Sequence, residues 1–281
     1  MKFGCNYSKE LIEILQEDKS FCDFIKIGAF GKTLPHLEEA FFYKPLLIHG
    51  FGWFERGGMA SIEEMDFDLM NDKLSYYKSP FLGMHALAYA RDISMLISDM
   101  DDLLPTIVSQ TTRSLLEHMT YVFSQIQTYL SVPLLIENMD YSPFYTYDTT
   151  VIEAVEPNFL SLLMEKTNAY FLFDLSHAKV SAYQLKMDIL DYIEALPLER
   201  IKEIHFSGSF YTKDEGFKDI HGIMNEDDYR IASYLANNPR IRSGKQLDVV
   251  TLEYGTCDEA NKDALIEQMT RLKYIFNDEN E

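Results

Sequence analysis

Leu134-Leu135-Ile136-Glu137-Asn138 runs through three large aliphatic residues and stops on a carboxylate and an amide. Successive side chains of a strand face opposite sides, so a run apolar at every position is buried on both faces. That is the signature of a parallel strand packed between helices and a barrel interior. Seven further short apolar runs recur: Lys2–Cys5, Phe24–Ile27, Leu46–His49, Phe81–His85, Tyr170–Asp174, Ile201–Phe206 and Val249–Glu253. Helical patterns lie between them, at Ser8–Gln16, Thr106–Leu130, Val151–Met164, Tyr183–Leu196, Asp227–Ala236 and Asp258–Tyr274. Alternation of strand and helix predicts a parallel sheet, and eight repeats suffice to close one. The expected fold is therefore α/β, a (β/α)8 TIM barrel. A barrel of about 250 residues absorbs the whole chain, and no linker or low-complexity block divides it, so residues 1–281 are expected to form one domain. The least regular connection is Phe51–Lys78, with Gly50, Gly52, Gly57 and Gly58 near its start; it is expected to be a long loop over the active-site face.

Composition narrows the function. Hydrophobic residues make up 47% of the chain, enough for one large core. No stretch approaches the roughly 20 apolar residues of a membrane span, and the start, Met1-Lys2-Phe3-Gly4-Cys5-Asn6, lacks the features of a secretory signal. Cys5, Cys22 and Cys257 are odd in number, widely spaced and without a Cys-x-x-Cys pair. They read as reduced thiols, and the expected location is the cytoplasm. With 25 basic against 45 acidic residues the net charge is −20. Acidic runs include Asp99-Met100-Asp101-Asp102 and the tail Asn277-Asp278-Glu279-Asn280-Glu281, and no basic cluster offsets them. Such a field keeps a protein soluble and repels a phosphate backbone, which argues against a nucleic-acid partner.

The histidines carry the chemical signal. Of the seven, His49, His85, His177 and His205 close or follow a predicted strand, and His221 lies in the expected loop after the seventh. Carboxylates occupy the matching position elsewhere: Glu137, Asp174 and Glu253. Taken singly, a strand histidine is a satisfied core residue and a strand-end glutamate is ion-paired. Convergence at the C-terminal end of a barrel, where such enzymes keep their catalytic groups, favours a metal site instead. Imidazole with carboxylate suits iron, zinc or manganese alike. A Ser-His-Asp reading of Ser176 and His177 is set aside on the expectation that adjacent residues of an extended chain point apart. Gly28-Ala29-Phe30-Gly31-Lys32-Thr33 lacks the leading glycine and spacing of a phosphate loop. Lys26, inside the second strand, needs a partner, either the acidic cluster or a substrate.

Arranged in this order, the residues resemble the xylose isomerase-like barrels that include endonuclease IV. The resemblance runs from His49 to Glu253 and implies three metals. His49, His85 and Glu137 would hold the first. Glu137 would bridge to a second, held also by Asp174, His205 and Glu253, and His177, Asp219 and His221 would hold the third. The phrases Leu135-Ile136-Glu137-Asn138, Leu196–Gly208 and Asp219-Ile220-His221 are similar to the multinuclear non-heme iron-dependent oxidative enzymes (MNIO) within that superfamily. Membership would imply two or three irons, dioxygen, a ribosomally made peptide as substrate, and often a separate recruiting protein. It would give Glu137, Asp174 and His205 catalytic roles and set Asn138, Lys26 and Tyr254 against the substrate. Two departures stand out: His177 replaces an asparagine common in the family, and Lys26 replaces an acidic residue.

Three reactions fit. The first is an iron- and dioxygen-dependent modification of a peptide, with Tyr141, Tyr211 and Tyr254 as pocket-lining candidates. The second, an endonuclease IV-like phosphodiesterase, fits the ligands but not the charge. The third, a sugar isomerase or epimerase with one divalent metal on Glu137, Asp174, His205 and Glu253, leaves the other five ligands unexplained. A purely binding role is weak, because so many polar groups are costly to bury at one face without a metal.

Overall fold

The computed structural model describes residues 1–51, 57–89, 107–144, 150–255 and 261–277. Gly52, Asp99–Asp102, Thr106, Cys257, Asp258 and the acidic tail from Asp278 lie outside the described residues. Each of the eight apolar runs forms a strand: β1 (Lys2–Asn6), β2 (Phe24–Ala29), β3 (Leu46–Phe51), β4 (Leu82–His85), β5 (Leu134–Glu137), β6 (Tyr170–Asp174) and β7 (Ile201–Phe206), then, after an antiparallel hairpin of β8 (Gly208–Thr212) and β9 (Gly216–Gly222), β10 (Val249–Leu252). The eight pair in parallel and close in the order β1-β10-β7-β6-β5-β4-β3-β2. The barrel expected from the alternation is the barrel found. No helix among the described residues is long and apolar enough to cross a membrane.

Alternation along the strands creates two interiors. Phe3, Cys5, Ile48, Ile136, Phe173 and Phe206 face outward into a large core shared with the helices. Phe24, Leu47, Leu135, Leu172 and Val249 of the strands, with Phe81 just before β4, form a separate cluster inside the barrel. Two residues beyond Phe24, Leu47, Leu135 and Leu172 stand Lys26, His49, Glu137 and Asp174. The period of two returns these to the inner face, at the C-terminal rim. Apolar filling below therefore holds a polar layer above.

Helices α1 (Lys9–Glu17), α2 (Leu37–Tyr43), α3 (Phe67–Tyr76), α4 (Ile107–Tyr129), α5 (Pro157–Thr167), α6 (Leu175–Gln184), α7 (Ile189–Glu194), α8 (Glu226–Asn237), α9 (Pro239–Gly244) and α10 (Lys262–Asn277) link the strands. Ser8 caps α1 by accepting from Leu11 N at 3.0 Å, and the helix buries Leu11, Ile12, Ile14 and Leu15. Three expectations need correction. The connection Phe51–Lys78 is not simply a loop, since Asp66 accepts from Leu69 N at 2.9 Å and starts α3. The helix expected over Val151–Met164 is broken at Glu156, which is extended; a residue before proline avoids the helical region, and Pro157 opens α5. The helix expected over Tyr183–Leu196 is instead two: α6, which begins at Leu175 directly after β6 and ends at Gln184, and α7, which Asp188 caps.

Two glycines make the interior possible. A Cβ on Gly4 would lie 2.5 Å from Thr251 Oγ1, and one on Gly83 would lie 2.8 Å from His49 Cδ2. Gly83→Ala should accordingly overpack the interior and cost about 1–3 kcal/mol. Urea denaturation of metal-free protein checks this; an unchanged midpoint and slope would show that the His49 ring yields freely.

Candidate metal centre

Glu137 stands at the end of β5 with its side chain 1% exposed, and four imidazoles surround it. His49 Nε2 lies 2.5 Å and His85 Nε2 3.2 Å from Oε2, while His205 Nδ1 lies 3.1 Å and His177 Nδ1 3.7 Å from Oε1. His205 Nδ1 is also 3.1 Å from Glu253 Oε1 and 3.9 Å from Asp174 Oδ2. All but His177, which lies on α6 just beyond Asp174, come from different strand ends, because parallel strands of matched register finish on one rim: His85 pairs with Glu137 and Asp174 with His205. Three trios place donor atoms close enough to share an ion: His49-His85-Glu137, Glu137-Asp174-His177 and Asp174-His205-Glu253.

Asp219 and His221 arrive by another route. They lie on β9, so the loop expected after the seventh strand is a hairpin. Its short strands carry several exposed positions and hold no buried apolar run, which is why the strand pattern passed over them. Lys179 on α6 pairs with Asp228 at 2.6 Å, both buried, and its ammonium sits 4.9 Å over the Phe217 ring. Tyr183 packs against Tyr211 and Phe217. Held this way, the hairpin sets Asp219 Oδ2 3.5 Å from His177 Nε2 and 3.5 Å from His221 Nδ1. His221 adopts φ +48, a conformation that costs free energy in a non-glycine residue, and its Nε2 reaches Glu253 Oε2 at 3.0 Å. Seven of the nine residues expected as ligands thus stand at the rim, and Asp219 and His221 reach them from the hairpin; the trio expected for a third ion, His177-Asp219-His221, is not among the three whose donor atoms come together. His177 lies between two groupings, near Glu137 and Asp174 as well as Asp219.

Asp174 caps α6, its Oδ1 accepting from His177 N at 2.8 Å. Asn138 locks the adjacent strands, donating from Nδ2 to Asp174 O at 2.9 Å and accepting from Asp174 N at 2.8 Å. Asn138 O lies 2.8 Å from His177 Nδ1, which places a proton on Nδ1 and turns Nε2 toward Asp219. Both ends of the Asn138 amide are therefore engaged by backbone. Ser176 and His177 sit in a helical turn and not on extended chain, so the reason for setting aside a Ser-His-Asp triad changes. The outcome stands, because Ser176 Oγ is buried without a hydrogen-bond partner and no imidazole among the described residues engages it. Tyr254 is buried, with its hydroxyl accepting from Asn261 N at 3.2 Å, and Tyr211 is exposed on the hairpin. Cys5 is buried in the core between strands and helices.

Electrostatics show which groups compete for protons. Burial drives His49 well below the usual imidazole range, reinforced by Lys26, and drives His85 down to about 4. Burial opposes ionisation of Glu137, yet His85, His49 and His205 outweigh it and hold the carboxyl well below its usual range. Burial raises Asp174. His177 is pushed well upward against burial by Asp174 and Asp219, and His205 upward against burial by Glu203 and Glu137. Lys26 is lowered by burial and lies against Glu253 Oε1, so the partner it needs is an acid of the cluster. A cavity of about 350 Å³ opens beside it between Asn6, Tyr7, Phe30, His49 and His221. Glu203 was missed. It is 2% exposed, and the available signal was its place two residues before His205 on the same strand face.

The barrel is similar to solved structures of the xylose isomerase-like class. One, from Mycobacterium smegmatis in complex with magnesium, shares 10% identity with a TM-score of 0.52, covering 98% of this chain and 97% of that one. A Rhodospirillum rubrum protein provisionally named a xylose isomerase shares 12% identity with a TM-score of 0.54, covering 99% and 98%. Among sequences, a UPF0276 protein of Acaryochloris marina is 29% identical over 192 residues, 68% of this chain and 65% of that protein, so the match spans just under two thirds of that relative. A UPF0276 protein of Shewanella oneidensis is 23% identical over 232 residues, 78% of this chain and 76% of its own length. The sequence profile described as RiPP precursor modification enzyme MbnB/TglH/ChrH matches residues 2–231. The chain belongs to the MbnB/TglH/ChrH family of RiPP precursor modification enzymes.

Proposed function

We propose that this protein uses two or three iron ions and dioxygen to oxidise a side chain of a ribosomally made peptide. The observation that carries the reading is the convergence of seven imidazole and carboxylate residues at one barrel rim, with Asp219 and His221 beside them on the hairpin, in a chain of a peptide-modifying family. The donor set fits metal. Glu253 Oε1 is buried without an aligned hydrogen-bond partner, and carboxylates outnumber the cations that face them. His49, His85 and Glu137 would hold one ion, Asp174, His205 and Glu253 a second with Glu137 between them, and His177, Asp219 and His221 a third. Iron held by such ligands with open positions supplies oxygen-activating redox chemistry.

The chain's own residues prepare the site. Asn138 O keeps the His177 proton on Nδ1, leaving Nε2 as donor. Lys26 balances Glu253. Once a metal takes that carboxylate, the ammonium faces the cavity, where it can donate to an oxygen of the peptide. The apolar layer of Leu47, Leu135 and Leu172 closes the site from below against water.

Elemental analysis and Mössbauer spectra of protein purified without oxygen test the assignment. Two or three irons per chain with a mixed-valence signal are expected. Stoichiometric zinc or manganese with little iron would instead favour a hydrolase or isomerase. Glu137→Gln should lose at least one metal equivalent in the same assay.

Lys26→Met should raise KM for the peptide roughly 10-fold, the worth of one charge-assisted hydrogen bond, with iron content unchanged. A KM equal to wild type removes Lys26 from the substrate contact.

His49 and His85 are pushed down and neutral at pH 7, whereas the neighbouring acids push His177 and His205 up, favouring a proton that a metal must displace. Binding at these two therefore strengthens as pH rises toward their pKa. Calorimetric metal titrations in two buffers of different ionisation enthalpy should reveal net proton release. Identical heats in both would contradict it.

A further inference from the structure

Below the ligand layer lies an acid that the metal assignments do not use. Glu203 sits on β7 two residues before His205, and both point into the barrel. Its side chain is 3% exposed, and Oε1 lies 3.1 Å from His205 Nε2. The opposite ring nitrogen, Nδ1, is the one that faces Glu137 and Glu253, each at 3.1 Å. The ring is therefore sandwiched between a ligand cluster on one edge and a buried carboxylate on the other. Glu203 is itself fixed: Thr251 Oγ1 donates to Oε1 at 2.5 Å, and Thr251 has room to do so because Gly4, its partner in register, carries no Cβ. A carboxylate this deep is costly unless a positive group compensates it. His205 is a positive group within ion-pair reach, and Lys26 acts on the same carboxylate through space. Nε2 is buried with no aligned hydrogen bond, so Glu203 acts on the ring as a nearby charge.

Resting on the metal-site reading above, we propose that Glu203 is a positioning residue for the metal held by Asp174, His205 and Glu253. It draws the His205 proton to Nε2, which leaves Nδ1 as the donor, and its charge raises the basicity of that donor. Thr251 and Gly4 serve the same end by holding the carboxylate at the ring. Such carboxylate–histidine–metal relays typically contribute 10–100-fold in metal affinity. Glu203 is not a ligand, since His205 stands between it and the other carboxylates.

Metal-free wild type, Glu203→Gln and Glu203→Asp are titrated anaerobically with Co(II), following ligand-field absorption. In Glu203→Gln one class of site should weaken by about 10–100-fold while the rest keep their affinity, with Glu203→Asp intermediate. Melting of the metal-free proteins separates positioning from packing. Glutamine removes a charge from among Glu137, Asp174 and Glu253, so the variant should melt no lower than wild type. Unchanged cobalt affinity, or a lowered metal-free melting point with all affinities intact, overturns the proposal. If Glu203→Gln does not fold, Thr251→Val, which frees the carboxylate, should weaken the same site by a smaller factor, and equal affinity there counts against the proposal too. Wild type that binds no cobalt refutes the metal site itself, a different result from a variant that binds as well as wild type.

Discussion

Four carboxylates, Glu137, Asp174, Glu203 and Glu253, are buried to 1–2% exposure inside one barrel, and the rest of the rim is arranged around their charge. An isolated ion in such a setting costs several kcal/mol even after relaxation. Each acid accordingly meets a cation or a donor: imidazoles at Glu137, Lys26 at Glu253, a helix N-terminus at Asp174, a threonine hydroxyl at Glu203. Those partners are too few to neutralise the cluster, since burial depresses His49, His85 and Lys26 and leaves His177 and His205 as the imidazoles pushed upward. Divalent ions are the natural complement, because one ion compensates two carboxylates while accepting the same lone pairs.

The barrel supplies the precision that such a centre requires. Parallel pairing brings eight strand ends to one plane, and the two-residue period stacks the ligands on an apolar plug. The hairpin adds what strands alone do not reach. Its anchoring through Lys179, Asp228 and Phe217 lets Asp219 and His221 approach from outside the ring. His221 accepts a left-handed backbone to do so, a cost tolerated where the surrounding contacts over-determine the conformation.

Most of this architecture was legible in the residues. Leu134–Glu137 and Tyr170–Asp174 announced themselves as strands because burial on both faces leaves an unbroken apolar run. Their terminal acids and histidines were equally visible, being the polar residues that end each run. Helix α6 was not legible, because Leu175–Ala182 is buried on every side and so lacks the amphipathic period that marks a surface helix. Glu203 was passed over for a related reason, since one acid inside a strand reads as an exposed position until the inward face is known.

Sequence alone determined the barrel and the polar residues that end its strands, because these follow from periodicity and residue type along a single strand. It did not determine how the donors are shared. Which nitrogen of His205 or His177 faces the cluster, that Glu253 meets Lys26 and that Asn138 braces β5 against β6 depend on the angle at which strands distant in the chain converge. Only the tertiary structure decided them, because a hydrogen bond or a metal bond is sensitive to a few tenths of an ångström and to ring orientation, and local sequence constrains neither.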